Sequence, residues 1–179
     1  MKNKGLFMRF IVCVLLVPCF IIPFVSIFSS FTVAGSVTSA TGNYNIFADY
    51  DILIASLKVR GGEAATFFMV VVSVLVVILA VLALAYVVLF VLNLAKVKCK
   101  ALPAIEKVVK YALLVASVLA LLFAIISVCV NRVSVDVLGT AKLVFDIGAY
   151  LLIAPVLASL LSMLTVCKKK KTKAKAKKK

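Results

Sequence analysis

The sequence predicts an all-α membrane protein: a four-helix transmembrane bundle with a small extracellular antiparallel β-sheet in the first outer loop. Three observations carry this expectation. The chain of 179 residues is 65% hydrophobic, with a mean hydropathy of +1.25, well above the ~45–50% apolar content of soluble domains. Its apolar residues gather into four long runs, each able to cross about 30 Å of hydrocarbon at about 1.5 Å per residue. Between the first two runs the pattern switches to period-two alternation, which is the mark of half-buried strands. The four-span domain covers 1–167, and 168–179 is a lysine-rich tail.

The first span covers 10–28 and follows a basic start with Lys2, Lys4 and Arg9. Pro18 and Pro23 lie inside it. Each removes a backbone donor and bends a helix, which bundles tolerate when neighbours satisfy the freed groups. A cleaved signal peptide is the competing reading, with small residues at Val33, Ala34 and Gly35. The run exceeds the usual h-region of about 7–15 residues, which favours a retained helix. Pro18 before Cys19 argues against lipidation there, because a lipoprotein site wants a small residue in that place.

The outer loop covers 29–62. It exceeds the ~12–15 residues of ordinary structureless loops, so it should be structured or functional. Phe31, Val33 and Val37 alternate with small and polar residues, and Leu53, Ala55, Leu57 and Val59 do so again; Thr41-Gly42-Asn43 reads as a turn. A sheet of two to four strands on the outer helix ends follows. Asp49 and Asp51 flank Tyr50. Two carboxylates make a thin calcium site, since that ion takes about 6–8 oxygens, and a solvated turn is the plainer reading.

The second span, 64–95, carries no charge and follows Gly61, Gly62 and Glu63. As one helix it reaches about 48 Å, so it tilts or projects beyond the membrane. Tyr86 and Asn93 are its main polar groups, and one interhelical hydrogen bond suits Tyr86. The inner loop, 96–110, holds five lysines against Glu106. Pro103 suits the first turn of the next helix, and Glu106 with Lys110 forms a favourably ordered i,i+4 pair.

The third span, 111–130, carries Ala112, Ala116, Ala120 and Ala124 at four-residue spacing. After a short outer loop at 131–142, the fourth span, 143–166, answers with Ala154, Ala158 and Ser162. Small residues four apart let helix backbones approach closely in lipid. These seven residues are the expected packing seam between spans three and four, with ridges that favour a crossing near −40 to −50°; lipid-facing filler is the alternative. Pro155 would free the carbonyl of Leu151 and bend the fourth helix. Asp146 is the one acid that falls within a span; it either marks an ion pathway or pairs locally with Lys142.

Charge sets orientation. Of 21 basic residues, 17 flank the two ends and the second connection, against 4 in the first and third connections. The positive-inside rule therefore places both termini in the cytoplasm of a plasma (cell) membrane protein. Lys168, Lys169, Lys170, Lys171, Lys173, Lys175, Lys177, Lys178 and Lys179 make a self-repelling, disordered tail. Beside a helix end they would meet anionic lipid head groups at about 1 kcal/mol per lysine, or serve as a topology anchor alone. No aromatic residues interleave them to stack on bases, so specific nucleic-acid binding is not expected. Cys167 beside the tail suits palmitoylation in a eukaryotic host.

No catalytic or cofactor chemistry is legible. The chain has no histidine and no tryptophan. It shows no carboxylate dyad, metal-ligand spacing, phosphate loop or nucleophile elbow, which argues against an enzyme and against a bound cofactor. The five cysteines, Cys13, Cys19, Cys99, Cys129 and Cys167, imply no disulfide framework. A non-catalytic scaffold, adhesion protein or accessory subunit remains, with a protein partner or a second copy meeting the 29–62 loop. The alternative is a subunit of a small channel or transporter.

The order of elements, a large first outer loop with strands followed by a small second one, resembles the claudin-like tetraspan group, which includes the peripheral myelin protein family. The resemblance implies cytoplasmic termini and strands added to a four-helix bundle. It is a resemblance of plan, since 29–62 lacks the tryptophan and paired cysteines of that family's first loop.

Overall fold

The structure is a computed structural model and describes residues 3–34, 37–44, 62–97, 101–130, 132–135 and 139–163. The lysine tail 168–179, the acids Asp49 and Asp51, the alternating stretch 53–60, Cys99 and Cys167 lie outside the described residues.

The chain opens with α1, Asn3–Leu15, and α2, Pro18–Ile21, followed by a 3-10 turn at Ile22–Phe24. The break between them belongs to Pro18. A helical residue there would donate to the Val14 carbonyl, and proline has no N–H to give. The Val17 amide takes that carbonyl instead, at 3.1 Å. Strands β1, Phe28–Ala34, and β2, Val37–Tyr44, come next. Then α3, Gly62–Leu94, and α4, Leu102–Val130, pack along each other as a long hairpin. Strands β3, Arg132–Val135, and β4, Gly139–Phe145, lead into α5, Ile147–Met163.

Three stretches are long and apolar enough to cross a membrane: Gly5–Phe24, Phe67–Leu94 and Leu102–Val130. Helix α5 is apolar but shorter. The expected fourth span from 143 is corrected at its start. Residues 143–145 belong to β4, and the helix begins after Asp146, whose carboxylate accepts from the Ile147 amide at 2.7 Å. Asp146 is thus a helix cap in extended backbone. Helix α5 is interrupted by a turn at Leu152, three residues before Pro155. This is where the missing proline donor loosens the ladder. Helix α4 extends the expected third span backwards, with Pro103 in its first turn.

At its far end α3 closes with a Schellman arrangement. The Val97 amide donates to the Leu92 carbonyl at 3.2 Å, and the Lys96 amide donates to Asn93 at 3.3 Å. The motif puts the residue after the cap in the left-handed region, and Lys96 occupies it at φ 54°.

The four strands form one antiparallel sheet in the order β2-β1-β4-β3. It draws on both connections, not the first alone. β1 pairs with β2 from Phe28↔Tyr44 to Ala34↔Val37, and with β4 from Phe28↔Phe145 to Val33↔Thr140. The stretch 131–142, expected as a plain loop, carries β3 and the start of β4. Thr41-Gly42-Asn43 is not a turn but lies within β2. Ser30 pairs with Gly42 and Phe31 with Ala40, so Thr41 is the extra residue of a β-bulge.

The core explains how the helices meet. On α3 the buried positions are Met69, Val72, Val76, Leu79, Ala83 and Tyr86; on α4 they include Lys110, Leu113, Ser117, Ala120, Ala124 and Ser127. Both series step alternately by three and four. That seven-residue repeat is the pattern of shallow left-handed packing, near +20°. The outward stripe of α3, Val74, Val77, Val81, Leu84, Val88 and Val91, is exposed and apolar. Such outward faces suit contact with a lipid bilayer.

Candidate functional site

The expected packing residues are spread between two environments. Ala116, Ala120, Ala124, Ala158 and Ser162 are buried, whereas Ala112 and Ala154 are half-buried. Helices α4 and α5 touch through hydroxyls, with Ser117 Oγ 3.4 Å from Ser159 Oγ. Each buried hydroxyl also donates to a carbonyl of its own helix: Ser73 to Met69, Ser117 to Leu114, Ser127 to Phe123, Ser159 to Val156 and Ser162 to Ser159. Back-bonding of this kind satisfies a hydroxyl in an apolar interior.

The polar centre of the bundle lies at the other end from the sheet. Helix α1 carries Arg9, α3 carries Tyr86 and Asn93, and α4 carries Glu106 and Lys110. Arg9 Nη2 is 3.0 Å from Glu106 Oε1 and 3.4 Å from Oε2. Lys110 Nζ is 2.7 Å from the same Oε1. The i,i+4 spacing on α4 sets the second contact, and the packing of α1 against the hairpin delivers the first. The side chains of Arg9, Glu106 and Lys110 are 23%, 13% and 4% exposed. Charges so withdrawn from water need a close counter-charge.

Tyr86 and Asn93 close the cluster. With Arg9, Glu106, Leu89 and Phe90 they line a narrow crevice with no room for a water molecule. Asn93 donates to the Leu89 carbonyl of its own helix at 2.8 Å. The Tyr86 side chain is buried near Arg9, Glu106 and Cys13. Among the described residues its hydroxyl makes no hydrogen bond, so the interhelical bond expected of it is absent there.

The sequence placed Glu106 beside Lys110 but missed Arg9, which it read only as part of a basic start. The available signal was that an arginine at the edge of an apolar run needs an acid at the same depth, and Glu106 is the one acid near that end. Beyond the cluster, Lys107 Nζ sits 5.9 Å from the centre of the exposed Tyr111 ring, a weak cation–π contact. No group of three or more metal-ligating side chains occurs among the described residues. Cys13, Cys19 and Cys129 are free thiols. Comparison with family models, curated proteins and solved structures returned no match.

Proposed function

We propose that this chain is a non-catalytic tetraspan scaffold, adhesion protein or accessory subunit that presents its first outer connection to a protein partner or to a second copy of itself. On this reading α5 completes the membrane domain as its fourth crossing. Both termini face the cytoplasm of a plasma membrane protein, and the sheet lies outside. The lysine tail lies along anionic head groups.

The observation that best supports it is the central position of β1. Hydrogen bonds to β2 on one side and β4 on the other join the two connections at that end of the bundle in a single sheet. A sheet that follows directly from the first helical segment and from α4, and runs directly into α5, is a rigid base for a recognition loop. A channel subunit is less well supported, because the buried serines of the described residues donate to carbonyls of their own helices.

The test is capture of partners from gently solubilised membranes by the full chain and by a variant with 45–61 replaced by a glycine–serine linker. The replacement should abolish the specific partner or self-association while leaving thermal unfolding nearly unchanged. Undiminished capture would remove the loop as the recognition element. Labelling of a cysteine placed in the tail by an impermeant reagent from outside would overturn the orientation.

A further inference from the structure

We propose that Arg9 and Lys110 form a site for the phosphate of an anionic lipid head group at the end of the bundle opposite the sheet. The proposal does not depend on the scaffold reading. Two cations share the Glu106 carboxylate, at 3.0 and 2.7 Å, so the cluster carries one positive charge in excess. Withdrawn charge of this kind calls for a counter-ion. The chain has six acids, and the other five are Asp49, Asp51, Glu63, Asp136 and Asp146. Of these, Glu63 opens α3 and Asp146 caps α5, both at the sheet end. Among the described residues no second carboxylate reaches the cluster, and an anion from outside the chain would balance it.

The donors that remain suit a phosphate. Among the described residues Arg9 engages Glu106 through Nη2 alone, leaving Nε–H and the Nη1 hydrogens without a protein acceptor there. On the side turned away from Glu106, one of these donors and the second Nη2 hydrogen form a planar pair that matches two oxygens of a phosphate. Lys110, 4% exposed, adds a point charge from its place on the same carboxylate oxygen. Because the crevice itself is closed, the phosphate meets the cluster from the partly exposed Arg9 side. Free phosphate would satisfy the same donors. The surroundings favour a lipid: Leu6, Phe7 and Phe10 on α1 are exposed and apolar next to Arg9, a surface for acyl chains.

Native mass spectrometry of the detergent-purified full chain tests this with equimolar phosphatidylglycerol and phosphatidylcholine. Wild type should retain phosphatidylglycerol in preference by about tenfold, roughly one such step of binding free energy. Arg9→Gln should abolish the preference, and Arg9→Lys, which keeps charge but loses the fork, should weaken it. Lys107→Gln, at an exposed lysine outside the cluster, should leave it intact. The tail lysines are present in every variant, so adhesion through the tail would not fall with Arg9. Equal retention of both lipids by wild type overturns the proposal even if Arg9→Gln fails to fold, as does a preference that survives Arg9→Gln in folded protein. Displacement of the lipid by millimolar inorganic phosphate, with no preference between lipids, would assign the site to free phosphate and overturn the lipid assignment.

Discussion

Arg9 Nη2 lies 3.0 Å from Glu106 Oε1 although 97 positions separate the two residues in the chain. This ion pair ties α1 to α4, and Lys110 holds the same oxygen from one turn along α4. The three charges are unequal in consequence. Glu106→Ala leaves two cations facing each other and should lower stability by about 2–4 kcal/mol. Arg9→Ala leaves the carboxylate with Lys110 and should cost less, about 1–2 kcal/mol. Thermal unfolding in detergent, arranged as a double-mutant cycle, measures the coupling. Additive losses would mean that the pair contributes nothing of its own.

Gly148 sits against the segment that enters β1. Its amide donates to the Ser26 carbonyl at 2.9 Å, and a Cβ there would lie 2.8 Å from that oxygen and 3.0 Å from Ile27 Cγ1. Backbone on one side and a buried isoleucine on the other leave little room to yield. Gly148→Ala should therefore destabilise by about 1–3 kcal/mol, the usual range for overpacking. An unchanged melting temperature would show that α5 can slide away from Ser26 at no cost.

Ala120 and Val118 are near neighbours on α4 with opposite surroundings. Ala120 is fully buried and Val118 is exposed. Ala120→Leu should cost about 1–3 kcal/mol by forcing the helices apart, whereas Val118→Leu should change little. Equal responses in a melting experiment would make the alanine row mere filler.

Lys96 holds the left-handed position after α3 at φ 54°. A side chain in that region costs about 1–2 kcal/mol relative to glycine. Lys96→Gly should recover part of this, about 0.5–1 kcal/mol after the greater flexibility of glycine in the unfolded chain is set against it. A fall in melting temperature would mean that the lysine charge matters more than the strain.

The sequence made the long apolar helices legible because an apolar run of that length has few other stable settings. It could not show which side of α3 is inward, since Val74 and Val76 are equally apolar and only packing separates the exposed residue from the buried one. The small residues of α4 were visible in the sequence, and Ala116, Ala120 and Ala124 of the row are buried. The buried series also takes in Leu113 and Ser117, which lie off the four-residue row. Strand β4 was missed because Leu143, Val144 and Phe145 run on without a break into the apolar helix. The hydrogen bonds that claim them come from β1, far away in sequence. Glu106–Lys110 could be read from i,i+4 spacing, and Arg9 could not, because its contact depends on how α1 packs against the hairpin.

The place of β1 between β2 and β4 also sets a timetable. β2 follows within a few residues and can pair with β1 at once. The opposite edge of β1 waits until α3 and α4 have been synthesised and threaded and β4 has emerged. Through that interval the nascent chain displays an open strand edge, the feature most prone to illicit pairing. A chain that stops short of β4 therefore loses more than its last helix. It keeps that edge permanently unpaired, and its fate becomes a matter of aggregation and quality control, not of reduced stability.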